Sequence, residues 1–194
     1  MTLASSTLIR RSSHLAIVFL CTTAPVFAQG EAFVDIGIHS SQIESKLANR
    51  DDTVDVSDSG IHIGIGARRP LGERGSIGFR LEADSIDSTT LLAVRAVDYS
   101  RDVSERVALN AFLGAARLNL ATAAYGYYLG FGVRWSQAIT GWDLNVDLRF
   151  GDKVARDNLL PEDPQGGSPD NFHDVTGVSI YLSRGFGSRR NDRQ

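Results

Sequence analysis

Beyond residue 30, apolar and polar residues of this chain alternate one by one in eight separate stretches. That period of two constrains the fold more than any other feature. Successive side chains of a β-strand point to opposite faces, so strict alternation means a sheet with a different solvent on each side. In the first stretch Ala32, Val34, Ile36 and Ile38 share one face, against Asp35, Gly37 and His39. Ile61, Ile63, Ile65 and Ala67 then alternate with His62, Gly64, Gly66 and Arg68, and Ile77, Phe79, Leu81 and Ala83 with Gly78, Arg80, Glu82 and Asp84. The fourth, Thr89 to Tyr99, changes parity: Leu92, Val94 and Ala96 lead to Asp98, while Val97 and Tyr99 follow Arg95. A β-bulge that switches the facing accounts for this. The fifth sets Val107, Leu109, Ala111 and Leu113 against Ala108, Asn110, Phe112 and Gly114. The sixth runs from Tyr127 to Trp135, with Leu129, Phe131 and Val133 opposite Tyr128, Gly130, Gly132 and Arg134. The seventh sets Trp142, Leu144, Val146, Leu148 and Phe150 against Asp143, Asn145, Asp147 and Arg149. The eighth sets Val178, Ile180 and Leu182 against Gly177, Ser179, Tyr181 and Ser183.

Eight is an even number and the smallest common size for a transmembrane barrel, and about ten residues per stretch suffice for a tilted strand to cross the hydrocarbon. The predicted fold is an all-β, eight-stranded antiparallel up-and-down transmembrane β-barrel. The connections support a meander. Arg69 to Gly75, Ser100 to Arg106 and Gln137 to Gly141 are short and polar. Ser40 to Ser59 and Asp152 to Asn171 are long and polar and fall on the opposite side. Two further gaps on that side, Ser85 to Ser88 and Asn119 to Thr122, are short. Outer-membrane barrels keep short turns in the periplasm and longer loops outside.

The N-terminus is a different kind of segment. Arg10 and Arg11 precede an apolar run from Leu15 to Phe27, and Val26-Phe27-Ala28 ends it on a small residue. This is the three-part pattern of a secretory signal peptide, residues 1–28, cleaved near Ala28. Cleavage removes Arg10 and Arg11 and no acid, taking the formal charge from −3 to −5. It also removes Cys21, the one cysteine, so the mature chain has no disulfide and no thiol ligand. A mildly acidic chain is not a nucleic-acid binder. Residues 29–187 are the expected barrel domain, and residues 188–194 a short polar tail.

An eight-stranded barrel is just wide enough for side chains to fill it. Charges inside must be paired or hydrated. The expected lumen network is Arg80, Glu82, Arg134, Asp143, Asp147 and Arg149. Tyr127, Trp135, Trp142, Phe150 and Phe186 end the apolar rows, as the aromatic girdles of a membrane barrel do.

The glycine-alternating strands Ile61 to Ala67 and Tyr125 to Trp135, with the closing strand Thr176 to Phe186, carry a resemblance. The chain resembles the small outer-membrane β-barrel superfamily that includes the OmpA transmembrane domain, OmpX-type barrels and opacity-type porin-like proteins. The resemblance covers nearly the whole mature chain. Gly177-Val178-Ser179-Ile180-Tyr181-Leu182 is similar to the C-terminal insertion signal of such proteins, which implies outer-membrane lipid and the barrel-assembly machinery as partners. Family members often end on the terminal aromatic, whereas here Gly187 to Gln194 continue.

Three functions fit this pattern. The first is a non-enzymatic outer-membrane barrel with a plugged polar lumen and a structural, surface-interaction or narrow-pore role, its surface ligand unspecified. The second is an enzyme acting on lipid A or phospholipid. Its candidate residues are His39 with Ser40 or Ser41 and Glu44, although the His-x-Ser pattern that barrel deacylases carry on a late strand is absent, His173 being followed by Asp174 and Val175. The third is a soluble periplasmic binding barrel. Asp51, Asp52, Asp55 and Asp58 are close in sequence, and Asp163, Asp170 and Asp174 share the other long connection, but the spacing matches no calcium loop. No metal and no cofactor are expected.

Overall fold

The computed structural model describes residues 30–46, 53–86, 89–119, 125–156 and 172–186. The predicted signal peptide, its cleavage site and the polar tail lie outside these. Eight strands follow in chain order: β1 (Glu31–Lys46), β2 (Thr53–Leu71), β3 (Gly75–Ile86), β4 (Thr89–Asp102), β5 (Val107–Leu118), β6 (Gly126–Ile139), β7 (Trp142–Arg156) and β8 (Phe172–Phe186). Each pairs antiparallel with its neighbour, and β8 returns to β1, with Ala32 opposite Phe186 and Lys46 opposite Phe172, closing the barrel. Closure leaves no sheet edge, the condition for strands in hydrocarbon.

The strands are longer than the alternating stretches. The connection expected over Ser40 to Ser59 is largely strand: the β1–β2 ladder continues through Ser40–Ser59 and Gln42–Ser57 to Lys46–Thr53. Likewise β7 runs on to Arg156 before the connection to β8. Alternation ends where the outward face stops meeting apolar solvent, but backbone pairing does not depend on it. The parity change in β4 is a register shift against β5 between Arg95 and Val97. Ala96 and Val97 both face outward there, and Asp98 turns inward.

The short turns are tight for local reasons. Gly72 has φ +70° in the β2–β3 turn and Gly141 has φ +78° in the β6–β7 turn, conformations that favour glycine. The Val103 and Ser104 amides both donate to the Val107 carbonyl in the β4–β5 turn.

Burial is inverted relative to a water-soluble barrel. Ile38 and Ile61 are each 62% exposed, and Ile36, Ile63, Ile65, Leu81, Leu109, Leu113 and Phe131 are exposed with them around the wall. Apolar exposure this continuous exceeds what a soluble monomer carries and marks a surface built for lipid. Inside are Asp35, Arg80, Glu82, Asp84, Arg95, Asp147 and Arg149, all buried.

Candidate functional site

The inward residues of all eight strands form one lumen, arranged in layers along the barrel axis. At the short-turn end Arg68 reaches Glu31 at 3.0 Å and Asp143 at 3.8 Å, and Arg134 reaches Asp102 at 3.4 Å. Phe33 lies under two guanidinium groups, with Arg68 at 5.3 Å and Arg80 at 4.9 Å from its ring centre. Above them is a cavity of about 10 Å³, lined by Arg68, Ser76, Arg80, Asp98, Ser100, Asn110, Arg134 and Asn145. That is room for about one water.

The middle layer is ionic and closely packed. The Arg80 guanidinium donates to Asp98 from Nε at 3.0 Å and lies 3.1 Å from Asp35. Arg95 reaches Glu82 at 2.5 Å and Asp147 at 2.7 Å, with all three side chains fully buried. The Tyr181 hydroxyl donates to Asp147 at 2.7 Å, and the Tyr128 hydroxyl to Glu82 at 3.0 Å. Asp84 accepts from both Arg149 and His62, the latter at 2.6 Å. The other His62 nitrogen faces Glu82 at 4.0 Å. Because the interior has low dielectric, such charges persist only when each finds an opposite charge or a donor.

Glycine makes room for these side chains at close approaches. A Cβ at Gly132 would overlap Asp147, and one at Gly130 would overlap Phe112. The small residues in β6 are therefore the space that the carboxylate and ring of neighbouring strands occupy.

The third layer, toward the long connections, is apolar. Ile86, Leu91, Leu118, Val154 and Val175 pack with Ala116 and Ala155, and Phe112, Tyr128 and Ala93 join them to the ionic layer. Beside them His39 Nδ1 lies 3.0 Å from Ser41 Oγ, and His39 Nε2 lies 2.8 Å from the Ser85 carbonyl oxygen. A nitrogen facing a carbonyl must donate, which leaves Nδ1 to accept from the serine. Both residues are buried, and Ser40 points outward.

The structure therefore separates the six predicted lumen residues into two groups. Arg80, Glu82, Asp147 and Arg149 belong to the middle layer, whereas Arg134 and Asp143 sit at the short-turn end. Sequence reasoning left out Asp35, His62, Asp84, Tyr128 and Tyr181, although all five share the polar parity of their strands. Arg95 and Asp98 flank the β4 bulge, where parity stops being a guide.

On the outer face, Tyr127 and Phe150 are exposed at the long-connection end. Trp135, Trp142 and Phe186 lie at the short-turn end, Trp142 partly buried. β7 is irregular against β8 between Gly151 and Ala155, and Lys153 there has φ 58°. A surface cleft of about 210 Å³ opens beside this break, lined by Tyr127, Leu129, Phe150, Val175 and the carboxylates Glu44, Asp152 and Asp174 among others. Among the described residues no cluster of His, Cys, Asp or Glu could hold a metal ion.

No protein-family profile matches the chain, and no curated protein matches it. Solved structures similar to it include Ail, the attachment invasion locus protein of Yersinia pestis, at 12% identity and a TM-score of 0.48 over 81% of this chain and 99% of that one. The outer-membrane protein OprG from Pseudomonas aeruginosa is similar at 10% identity, with a TM-score of 0.47 over 82% and 97% of the two chains. Neisserial surface protein A is similar at 12% identity, with a TM-score of 0.44 over 80% and 97%. The chain's own strand order makes it a closed eight-stranded antiparallel barrel.

Proposed function

We propose that the chain is an outer-membrane barrel with a closed lumen that works through its surface, as a structural or surface-interaction element, rather than by passing solutes. The stratified lumen carries this reading: a closely packed ionic layer lies against an apolar layer, and the lumen cavity beside Arg80 and Asn145 holds about one water. The long connections, where β1–β2 and β7–β8 extend past the apolar belt, are then the parts that face the outside. The N-terminal leader supplies export, and β8 supplies the segment that the barrel-assembly machinery would engage. The outward apolar belt argues against a soluble periplasmic barrel, whose apolar face would point inward.

Planar-bilayer recording tests this. The purified protein should add no stable conductance steps, and large, stable, solute-passing steps would show that the layers do not close the lumen.

The enzyme reading has one observation in its favour, the His39–Ser41 hydrogen bond with the far imidazole nitrogen tied to a carbonyl. That is how a base is oriented to activate a nucleophile. Both side chains are buried among apolar and charged neighbours in the lumen wall, however, so the pair serves packing in the proposed function. Lipid A hydrolysis by wild-type protein that vanishes in His39→Ala would reverse this assignment.

A further inference from the structure

The outward face is apolar along its middle, and its short-turn end carries arginines. Arg69 continues the outward row of β2, Arg101 that of β4 and Arg184 that of β8. All three are exposed, and none is ion-paired with a carboxylate among the described residues. The inward arginines of the same end behave differently, since Arg68 and Arg134 each have a carboxylate partner. Arginine is thus paired inside, where only the protein supplies counter-charge, and unpaired outside, at the edge of the lipid-facing belt.

Arg184 is also held in place. Its guanidinium lies over Trp142 at 5.6 Å and over Phe186 at 6.0 Å from the ring centres. Such stacking fixes a cation at the level of the aromatic ring, while the aliphatic stem covers apolar surface. Among the described residues no carboxylate pairs with this planar group, whose fork of N–H donors suits a phosphate. At the opposite end the charge is mixed: a cleft presents Glu44, Asp152 and Asp174, and Arg117 and Lys153 lie nearby over Tyr125 and Phe172.

We propose that the short-turn rim binds the phosphate groups of anionic phospholipid, with Arg184 between Trp142 and Phe186 as the main contact and Arg69 and Arg101 as further contacts. The proposal rests on the membrane reading above, and it adds which lipid, which leaflet and which residues. An outward arginine near an anionic headgroup layer favours that lipid by roughly fivefold.

The chain's two tryptophans, Trp135 and Trp142, both belong to this rim, so they report its lipid locally. The protein is reconstituted in phosphatidylcholine vesicles containing a fixed fraction of either dibrominated phosphatidylglycerol or dibrominated phosphatidylcholine, and quenching is measured. The phosphatidylglycerol should quench more strongly, and 0.5 M salt should weaken that preference, roughly as expected for a screened headgroup contact. Arg184→Gln should lower the relative association about fivefold, and the Arg69→Gln/Arg101→Gln/Arg184→Gln variant should abolish the preference. Arg117→Gln, at the other rim beside Tyr125, should leave it intact. Heat-modifiable gel mobility confirms that each variant is folded. Equal quenching by the two lipids in wild type, or an unchanged preference in the triple variant, overturns the proposal. A preference lost in Arg117→Gln overturns its placement. Quenching by neither lipid would instead refute the membrane reading.

Discussion

The Arg95 guanidinium carbon sits 3.5 Å from the centre of the Phe112 ring, and this contact joins the ionic layer of the lumen to its apolar layer. The same guanidinium holds Glu82 at 2.5 Å and Asp147 at 2.7 Å. Arg95 thus lies at ion-pair distance from two buried carboxylates and sets its face on one ring.

Arg95→Met should be strongly destabilising. The side chain is of similar length, but in the buried interior Asp147 would lose its ion-pair partner and Glu82 would keep only Arg80 of its arginine partners, at 4.0 Å. Breaking a buried pair from one side costs about 3–5 kcal/mol. Arg95→Met/Glu82→Gln/Asp147→Asn should lose much less, because no charge is stranded. Urea unfolding in lipid vesicles, followed by tryptophan fluorescence, measures both. A single variant no weaker than the triple would show that the carboxylates do not depend on Arg95.

The outer face yields a prediction of opposite sense. Ile63 lies in mid-belt, opposite Ile36 on β1 and Ala83 on β3. In a bilayer Ile63→Arg should cost about 2–4 kcal/mol, the penalty for arginine at the lipid-facing midplane of a barrel. In a water-facing barrel the same change would be near neutral. Unfolding free energies in vesicles decide between them, and a neutral outcome would remove the lipid from that face.

Much of this was legible in the sequence because alternation records the solvent on each side of the wall. The row Trp142, Leu144, Val146, Leu148, Phe150 gives β7 its facing without any tertiary information. The parity change in β4 likewise marks its bulge, which turns Asp98 to the inside. Two features of the wall and lumen were not legible. The extension of β1 and β2 past Ser40 and Ser59 reads in sequence as a polar connection, because its apolar residues Ile43, Val54 and Val56 are too few to form a row. The apolar lumen layer was hidden because Ile86 and Leu118 sit at strand ends on the parity that lower down is polar, and Val154 turns inward only past the irregularity of β7 after Gly151. The aromatic residues at the rims were legible as row ends, but the arginine stacked among them was not, because nothing in a strand pattern marks an unpaired charge.

Space in β6 gives a third prediction. A side chain at Gly130 would overlap the Phe112 ring and the Leu148 carbonyl oxygen. Gly130→Val therefore has to displace either the ring that carries Arg95 or the backbone of β7, and the protein should lose heat-modifiable mobility. At Gly72 the surroundings are open and only φ +70° is at stake, so Gly72→Ala should cost about 1 kcal/mol and still fold. Normal folding of Gly130→Val would mean that the wall gives more readily than close packing allows.

The last prediction concerns the two layers as barriers in series. Leu91 and Leu118 are paired across β4 and β5 at the long-connection end and are fully buried in the apolar layer. Leu91→Ser/Leu118→Ser should hydrate that layer at a cost in stability, yet add no conductance, because the ionic layer beneath still fills the lumen. Arg95→Ala/Phe112→Ala acts instead on the contact where the layers meet. It removes the largest fully buried cation and a ring that reaches both layers, so water and ions gain a continuous path. Single-channel recording on the folded variants should show silence for the serine pair and small conductance steps for the alanine pair. Conductance in the serine variant alone would mean that the apolar layer is the whole seal, and that the ionic layer serves stability rather than closure.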